Sequence, residues 1–415
     1  MRVAVVGSGI AGMASAWLLS RQHEVVLFEA DNRLGGHTDS HAVEVDGQSL
    51  VVDSGFIVYN EKHYPLLTRL FAQLEVVSQP TTMSFSVHDE SSGLQYNAGN
   101  LRDLFCQSAN LVSPRFLGML ADLRRFYREA PAVLELTAPG PSLGEYLATN
   151  GYGDAFRDLH LVPMASALWS SPTACILDFP VAHLVRFMAN HSMLQLTGRP
   201  EWRVVSGGSR RYIDAFERDW NVQVRLDSPV RNVRSLKQPA GVAVASDAGV
   251  EMFDRVVLAC HADDSLGLLA EPTDIQRDVL SAFEFQDNDT ILHSDAGVLP
   301  PNRRAWAAWN AHVPSQPGRD CTVSYWMNAL QSLQTRDPLV VSLNRRADID
   351  PARILRERSY RHPVQSVASV LAQTRKAEIQ GVGGISFAGA WWGHGFHEDG
   401  LRSAVDVAAQ IGVSW

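Results

Sequence analysis

A strand pattern followed by a glycine motif decides the fold: residues 2–12 read RVAVVGSGIAG. The β-branched run at residues 2–6 is typical of a buried parallel strand, and a helical pattern from Met13 to Leu19 follows it. A second strand pattern, residues 24–28, ends at Glu29. In such a unit the glycines let a pyrophosphate approach the helix N-terminus, and the acid accepts hydrogen bonds from a ribose. The sequence therefore predicts a dinucleotide site formed by Gly7, Ser8, Gly9, Ile10, Ala11, Gly12 and Glu29.

The composition limits the classes of function. The 415 residues carry 36 Lys and Arg against 45 Asp and Glu, a net charge of −9, which disfavours a nucleic-acid partner. The four cysteines are far apart and predict free thiols rather than disulfides or a zinc site. No apolar stretch of the sequence reaches the length of a membrane span. We expect a cytoplasmic enzyme with two domains, because the chain is longer than one compact core usually is.

The residues after the second strand distinguish FAD from NAD. The segment at residues 30–38 resembles the Arg-x-Gly-Gly element of the flavin amine oxidase and phytoene desaturase superfamily, with His37 where that family usually has Arg. Residues 51–58 resemble the family's Asp-x-Gly segment, which runs beside the flavin ring. The resemblance implies that Arg33 lies near the phosphates and that both segments contact FAD. The implied contacts are Arg33, Gly35, Gly36, His37, Thr38, Gly55, Phe56 and Ile57.

The C-terminal block predicts the part that closes the same site. A strand pattern at residues 385–390 leads into the turn WWGHGFHEDG, residues 391–400, and a helix is expected from Leu401 to Ile411. In the family this helix directs its N-terminus at the cofactor. The resemblance adds Val230, Gly389, Gly400 and Leu401 to the FAD contacts. His397 and Glu398 are candidate catalytic groups for proton transfer, with a purely structural turn as the alternative, and the lack of a cysteine here predicts non-covalent FAD.

The spacing of these motifs predicts an α/β chain with a discontinuous Rossmann-type FAD-binding domain, at about residues 1–75, 200–265 and 381–415. The segments between them, residues 76–199 and 266–380, predict an α+β substrate domain. This domain combines a hairpin near residues 90–93 and a helical insert with an antiparallel sheet over the flavin. No second glycine fingerprint opens a helix, so we expect the electrons to pass from the flavin to oxygen or another carrier.

Several short motifs resemble a bacterial amine-oxidase-like branch associated with cyclopropane and methyl-branched fatty acid metabolism. They are WSSP at 169–172, NH at 190–191, GRPEW at 198–202, YWMN at 325–328 and GFHEDG at 395–400. The resemblance implies an FAD-dependent oxidoreductase that desaturates a hydrophobic substrate, an unsaturated or methyl-branched fatty acyl chain, by hydride transfer to flavin N5. An amine oxidase and a redox-neutral fatty acid double-bond isomerase are the alternatives. The family's amine oxidases hold a Lys near the flavin, and only Lys376 lies near the matching stretch.

Two further patterns concern metals and membranes. His394, His397 and Glu398 lack the spacing of a helical zinc site, so we expect no metal. Residues 115–128 form an amphipathic helical pattern that carries Arg124, Arg125 and Arg128. This pattern predicts a core-facing helix or, for a lipid substrate, transient contact with the inner face of the membrane.

Overall fold

The computed structural model describes residues 1–135, 140–169, 173–195, 197–238, 240–316 and 320–415. Its strands are β1 (Arg2–Val6), β2 (Glu24–Phe28), β3 (Ser40–Val45), β4 (Gln48–Asp53), β5 (Val58–Tyr59), β6 (Ser78–Thr81), β7 (Phe85–Asp89), β8 (Leu94–Asn97), β9 (Trp202–Val205), β10 (Val222–Arg225), β11 (Val230–Lys237), β12 (Ala240–Ser246), β13 (Gly249–Phe253), β14 (Arg255–Leu258), β15 (Glu284–His293), β16 (Trp309–Val313), β17 (Thr322–Trp326), β18 (Val340–Leu343), β19 (Ile354–Val364) and β20 (Ile385–Phe387).

The α-helices are α1 (Ile10–Leu19), α2 (Pro65–Gln73), α3 (Leu101–Leu104), α4 (Pro114–Glu129), α5 (Leu143–Thr149), α6 (Asp154–Phe156), α7 (Val162–Trp169), α8 (Thr173–Leu177), α9 (Val181–Asn190), α10 (Arg210–Asp219), α11 (Ala262–Leu268), α12 (Asp274–Leu280), α13 (Met327–Gln331), α14 (Val367–Thr374), α15 (Lys376–Ile379) and α16 (His397–Gln410). A π-helical turn, Arg157–Leu161, joins α6 to α7.

A parallel sheet in the order β10-β2-β1-β14-β20 forms the first layer. Its strands come from widely separated parts of the chain, and β1 lies between β2 and β14, with Val3 opposite both Val25 and Arg255. The strands β1 and β2 have the bounds that the β-branched patterns predict, and α1 ends at the predicted Leu19 but begins at Ile10, three residues before the predicted Met13. Every residue of α1 is buried, because the helix is covered by the sheet on one side and by α16 on the other. The predicted α/β fold class is confirmed.

A seven-stranded sheet in the order β19-β15-β18-β17-β16-β7-β8 forms the second layer. All its neighbouring strands are antiparallel except β16 and β7. The hairpin β7–β8 lies at the predicted residues 90–93, and β15 to β18 supply the antiparallel strands predicted for residues 266–380. Strand β19 was not predicted, because four of its eleven residues are charged and it ends beside Pro363. These features suit an edge strand, whose outer side needs no apolar partner and tolerates proline.

The helical insert packs as a separate core beside this sheet. Large aromatic residues fill it, and Phe116, Phe126, Phe156 and Phe179 are at most 1% exposed. Helix α4 directs Phe116, Met119 and Phe126 inward, as expected for a core-facing helix. Within the described ranges, no helix is both long and apolar enough to cross a bilayer.

Candidate active site

The turn between β1 and α1 has the form of a cradle that would suit a phosphate group. Gly7 has a φ of +96°, which favours glycine, and its amide donates to the carbonyl of Phe28 at 2.8 Å. A Cβ on Gly12 would lie 1.9 Å from the Gly7 carbonyl oxygen, so only glycine lets α1 start this close to the turn. A Cβ on Gly9 would meet nothing within 4 Å. The open side of the turn therefore lies at Gly9, beside the N-terminus of α1, which suits a pyrophosphate.

Glu29 and Ser8 hold this turn in place. The Ser8 amide and hydroxyl both donate to Glu29 Oε2, at 2.8 and 2.5 Å, and the Gly35 amide donates to Ser8 Oγ at 3.2 Å. The Ser228 amide donates to the Glu29 carbonyl at 2.8 Å, which brings the buried Val230 to the same end of the sheet. Glu29 thus stands at the end of β2, where a ribose acceptor is expected, and it also orders the pyrophosphate turn.

Arg33 fastens the second glycine segment. Its guanidinium donates to the carbonyls of Gly36 at 2.8 Å and Thr38 at 3.1 Å, and it pairs with Asp39 at 3.3 Å. Arg33, which the family resemblance places near the phosphates, therefore uses these N–H groups to bind the backbone of its own segment. The segment lies against the first turn, since a Cβ on Gly36 would be 3.0 Å from the Gly9 Cα.

The neighbouring Asp-x-Gly segment needs glycine for the same kind of close approach. A Cβ on Gly55 would lie 1.9 Å from the His37 carbonyl oxygen. The Phe56 amide donates to that same oxygen at 2.8 Å. This contact brings Gly55, Phe56 and Ile57 to the cavity described below.

The C-terminal helix brings a second N-terminus to the cradle. Helix α16 begins at His397, four residues before the predicted start at Leu401. Its early start follows from the turn before it, where the Asp399 carboxylate accepts from the amides of His394 and Phe396, both at 3.1 Å. A Cβ on Gly400 would lie 2.8 Å from the Ile10 side chain, so α16 packs against the start of α1. The positive ends of both helices therefore face one region, as an anionic cofactor requires.

The two predicted catalytic residues point in different directions. His397 lines the cavity, stacks on Phe56 with ring centroids 3.7 Å apart, and places Nε2 3.0 Å from the Tyr212 hydroxyl and 3.1 Å from Thr38 Oγ1. Burial lowers its pKa to about 3, so the imidazole is neutral. Glu398 points away and accepts from the amides of Leu66 and Leu67 at 3.1 and 3.0 Å. It caps the N-terminus of α2, a structural role.

One cavity of about 270 Å³ lies between the two sheets. The predicted residues that line it are Gly9, Ile10, Ala11, Gly35, His37, Gly55, Phe56, Ile57, Gly389 and His397. The other predicted residues do not line it: Gly7, Ser8, Gly12, Glu29, Arg33, Gly36, Thr38, Val230, Glu398, Gly400 and Leu401. The open face at Gly9 and the paired helix N-termini are the features that FAD needs, so the residues fit this cofactor.

The opposite wall of the cavity was largely missed by the sequence analysis. It comprises Trp309, Tyr325 and Leu343 from the seven-stranded sheet, Tyr360, Arg361, His362 and Pro363 from β19, and Leu168 and Trp169 from α7. The sequence signal for Trp169 and Tyr325 was their place in motifs of the related branch. Ser170, Ser171 and Pro172 of that motif lie outside the described residues.

Histidines mark the seam between the two walls. The rings of His37 and His362 are 5.2 Å apart, and those of His37 and His261 are 5.9 Å apart. Burial, followed by the neighbouring imidazoles, holds the pKa of His37 well below its usual range. On the other side, His394 Nδ1 lies 3.0 Å from His183 Nε2. Burial and the His183 imidazole likewise hold the pKa of His394 well below its usual range, so His394 is neutral.

Charged groups are scarce on the cavity wall. Among the described lining residues there is no Asp, Glu or Lys, and Arg361 pairs with Asp263 and Asp264. Lys376 does not line the cavity, and its Nζ pairs with Asp406 at 2.7 Å. The lysine of the amine oxidases therefore has no counterpart among the described cavity residues.

Several proteins of known sequence are similar to this chain. A carotenoid phi-ring synthase from Streptomyces griseus is 24% identical over 281 residues, which are 62% of this chain and 52% of that protein. A zeta-carotene desaturase from Synechocystis is 37% identical over 89 residues, 21% of this chain and 17% of that protein. The matched region thus covers about half the length of the first relative and a smaller part of the second.

Solved structures share the fold over nearly the whole chain. A CLA-producing fatty acid isomerase from P. acnes superposes with a TM-score of 0.71 at 13% identity, covering 99% of both chains. Cyclohexylamine oxidase from Brevibacterium oxydans superposes with a TM-score of 0.70 at 16% identity, covering 99% of this chain and 98% of that one. At these identities the likeness establishes the fold.

The family model of the flavin containing amine oxidoreductases matches residues 10–285. This match includes the segments around Gly35 and Gly55 and the whole helical insert, and it confirms the flavin cofactor predicted from the glycine segments. The chain therefore belongs to the flavin-containing amine oxidoreductase family.

Proposed function

We propose that the protein is an FAD-dependent oxidoreductase that desaturates a fatty acyl chain, either unsaturated or methyl-branched. The observation that carries this proposal is the wall facing the cradle. It is built mainly from aromatic and aliphatic side chains, its Arg361 pairs with Asp263 and Asp264, and the described lining residues include no carboxylate that could pair with an ammonium group. An acyl chain gains free energy from such a wall, at about 25 cal/mol per Å² of apolar surface buried, whereas a charged amine would lose hydration without a partner.

The similar proteins support a hydrophobic substrate. One relative is named as a zeta-carotene desaturase, and one structural neighbour is named as a fatty acid isomerase. Another neighbour is named as a cyclohexylamine oxidase, which keeps amine oxidation as the second candidate.

Desaturation removes a hydride from one carbon and a proton from its neighbour. FAD supplies the hydride acceptor. The residues of the chain orient the substrate, exclude water and take the proton. We assign the proton to His394, because its side chain belongs to the cavity wall and histidine is the most frequent general base in enzymes. His183 is a positioning residue, since its Nε2 lies 3.0 Å from His394 Nδ1 and holds the ring through it.

Anaerobic reduction of the flavin tests the substrate class. The purified protein is mixed, without oxygen, with phospholipids that carry unsaturated or methyl-branched acyl chains, and separately with mono- and polyamines. We expect the acyl lipids to bleach the visible flavin absorbance and the amines to leave it unchanged. Bleaching by amines alone would overturn the proposal in favour of an amine oxidase. A lipid product with a moved double bond, formed without bleaching, would identify an isomerase instead.

A further inference from the structure

An exposed group of apolar side chains lies at the start of the helical insert. Leu111 is 55% exposed, Val112 79% and Leu117 43%, and we call these three residues the apolar tip. They surround the N-terminus of α4, whose cap Ser113 stands between Val112 and Pro114. Leu101, nearby in the chain, is 77% exposed. Large apolar side chains exposed together in this way are unusual on a monomeric surface and indicate a contact site.

The sequence segment that carries the apolar tip contains no acidic residue. Residues 104–121 contain no Asp or Glu, and Arg115 is their only charged residue, although the whole chain has a net charge of −9. The acids that flank this segment are engaged: Asp103 lies 3.6 Å from Arg304, and Asp122 lies 3.2 Å from Arg125. The tip therefore presents apolar groups and one arginine without acidic neighbours in its own segment.

The basic residues further along α4 make a weaker candidate for a lipid contact. Arg125 lies over the Tyr152 ring at 3.9 Å and donates to the Gly151 carbonyl at 3.1 Å. Arg128 pairs with Glu129 at 2.7 Å. Arg125 and Arg128 are thus engaged with the protein itself. Beside them and Arg124, the aromatic residue Phe126 is buried, so it cannot enter a bilayer together with these arginines.

The buried face behind the apolar tip is continuous with the cavity wall. Phe116 lies between the tip residues in the chain and is 1% exposed, and it packs 5.5 Å from the Tyr96 ring. Both belong to the apolar core that also contains the cavity residue Trp169. The apolar tip thus adjoins the apolar core that also contributes Trp169 to the cavity.

We propose that the apolar tip and Arg115 form a docking surface for a lipid bilayer that contains anionic headgroups. The apolar side chains would enter the headgroup boundary, and Arg115 would meet the lipid phosphates. The absence of acids from residues 104–121 reduces the local repulsion from an anionic surface, because repulsion from distant charges is screened within about 10 Å at 0.1 M salt. The inference goes beyond the proposed function and does not depend on which lipid is the substrate.

Vesicle sedimentation of the flavin-loaded protein tests the docking surface. The probe is phosphatidylcholine vesicles with and without phosphatidylglycerol. We expect the parent protein to bind the anionic vesicles, and a Leu111→Ser, Val112→Ser, Leu117→Ser variant to bind about tenfold less. A matched control removes three exposed apolar side chains elsewhere, Val77→Ser, Val250→Ser and Ile275→Ser, and should bind like the parent. Arg115→Glu should lower binding by about tenfold at low salt and by less at high salt.

The outcomes separate this proposal from the function of the cavity. Equal loss of binding in the tip variant and the control, or no binding by the parent, would overturn the docking surface while leaving the flavin assay unaffected. Concentration-dependent self-association of the parent that the tip variant abolishes would assign the tip to a second copy of the chain, and would also overturn it. Because vesicle binding needs no turnover, failure of the acyl substrate proposal would not alter any of these results.

Discussion

The cradle and the wall that faces it are built by different means. The cradle depends on backbone contacts at glycines, such as the Gly12 approach to the Gly7 carbonyl and the Gly55 approach to the His37 carbonyl. The opposite wall depends on side chains from strands that are far apart in the sequence, such as Trp309 on β16 and Tyr360 on β19. A local motif can specify the first kind of surface, whereas only the completed seven-stranded sheet specifies the second. The cofactor can therefore be recognised from short sequences, and the substrate cannot.

The largest effect is expected where a cradle glycine gains a methyl group. In Gly12→Ala the new Cβ would lie 1.9 Å from the Gly7 carbonyl oxygen, so α1 must move away from the turn. Overpacking of this kind costs about 1 to 3 kcal/mol or more, and it displaces the helix N-terminus that faces the pyrophosphate. We expect flavin content, measured by absorbance after purification, to fall by about tenfold or more, with a lower melting temperature.

Gly267→Ala is the matched control for this substitution. Gly267 lies in α11, where a Cβ would meet nothing within 4 Å. Alanine at such a site should leave the flavin content unchanged and raise stability slightly, by about 0.4 to 1 kcal/mol. Full flavin content in Gly12→Ala would show that the cradle tolerates backbone displacement, and would remove the basis of the comparison.

The sequence predicted the cradle to within a few residues. Strands β1, β2 and β20 and helix α1 lie where their patterns place them, because buried β-branched runs and a glycine turn have few alternative structures. Side-chain direction was beyond the same reasoning. Glu398 follows His397 directly, yet it caps α2 through Leu66 and Leu67, a contact between residues more than 300 positions apart. No local pattern encodes that contact.

The wall facing the cradle shows where sequence reasoning stopped. Strand β19 provides Tyr360 and His362 to the cavity, but its charged residues lack the apolar alternation that predicts a half-buried strand. His183 was not identified either, because its only link to the site is the hydrogen bond to His394, 211 residues away. These residues become candidates only when the sheet and the helical insert are assembled around them.

Substituting His394 tests whether this cavity residue, which lies between the cradle and the wall that faces it, accepts the proton. His394→Phe should retain flavin, because His394 does not form the pyrophosphate cradle. We expect the rate of anaerobic flavin reduction by the acyl substrate to fall by about 10² to 10⁴, the usual contribution of a general base. His183→Asn should cause a smaller loss together with a shift in the pH profile of that rate, since it acts through the His394 ring. An unchanged reduction rate in His394→Phe would assign the proton to another group.

The smallest effect is expected in the response of stability to acid, and here the two regions have opposite signs. Burial lowers the pKa of His160, in the π-helical turn, and of His293, in β15, to about 4, so the unfolded chain takes up protons below about pH 6.5 before the folded chain does. Their contribution to stability therefore falls as the pH falls from 7 to 4. Burial raises the pKa of Asp53 and Asp399, beside the cradle, to about 6. The folded chain binds those protons first, so their contribution rises as the pH falls from 6 to 4.

His160→Phe separates these contributions with little change in packing. Its ring stacks on Phe156, and its Nε2 has no hydrogen-bond partner among the described residues. Tyr96, whose hydroxyl contacts Nδ1, also donates to the Leu159 carbonyl at 2.7 Å. Urea unfolding at pH 7 and pH 5 should show that the loss of unfolding free energy on acidification is about 2 kcal/mol smaller in this variant than in the parent. Asp53→Asn should make the same loss about 1 kcal/mol larger, because a favourable protonation is removed. Equal changes in all three proteins would mean that neither group titrates differently in the folded and unfolded chains.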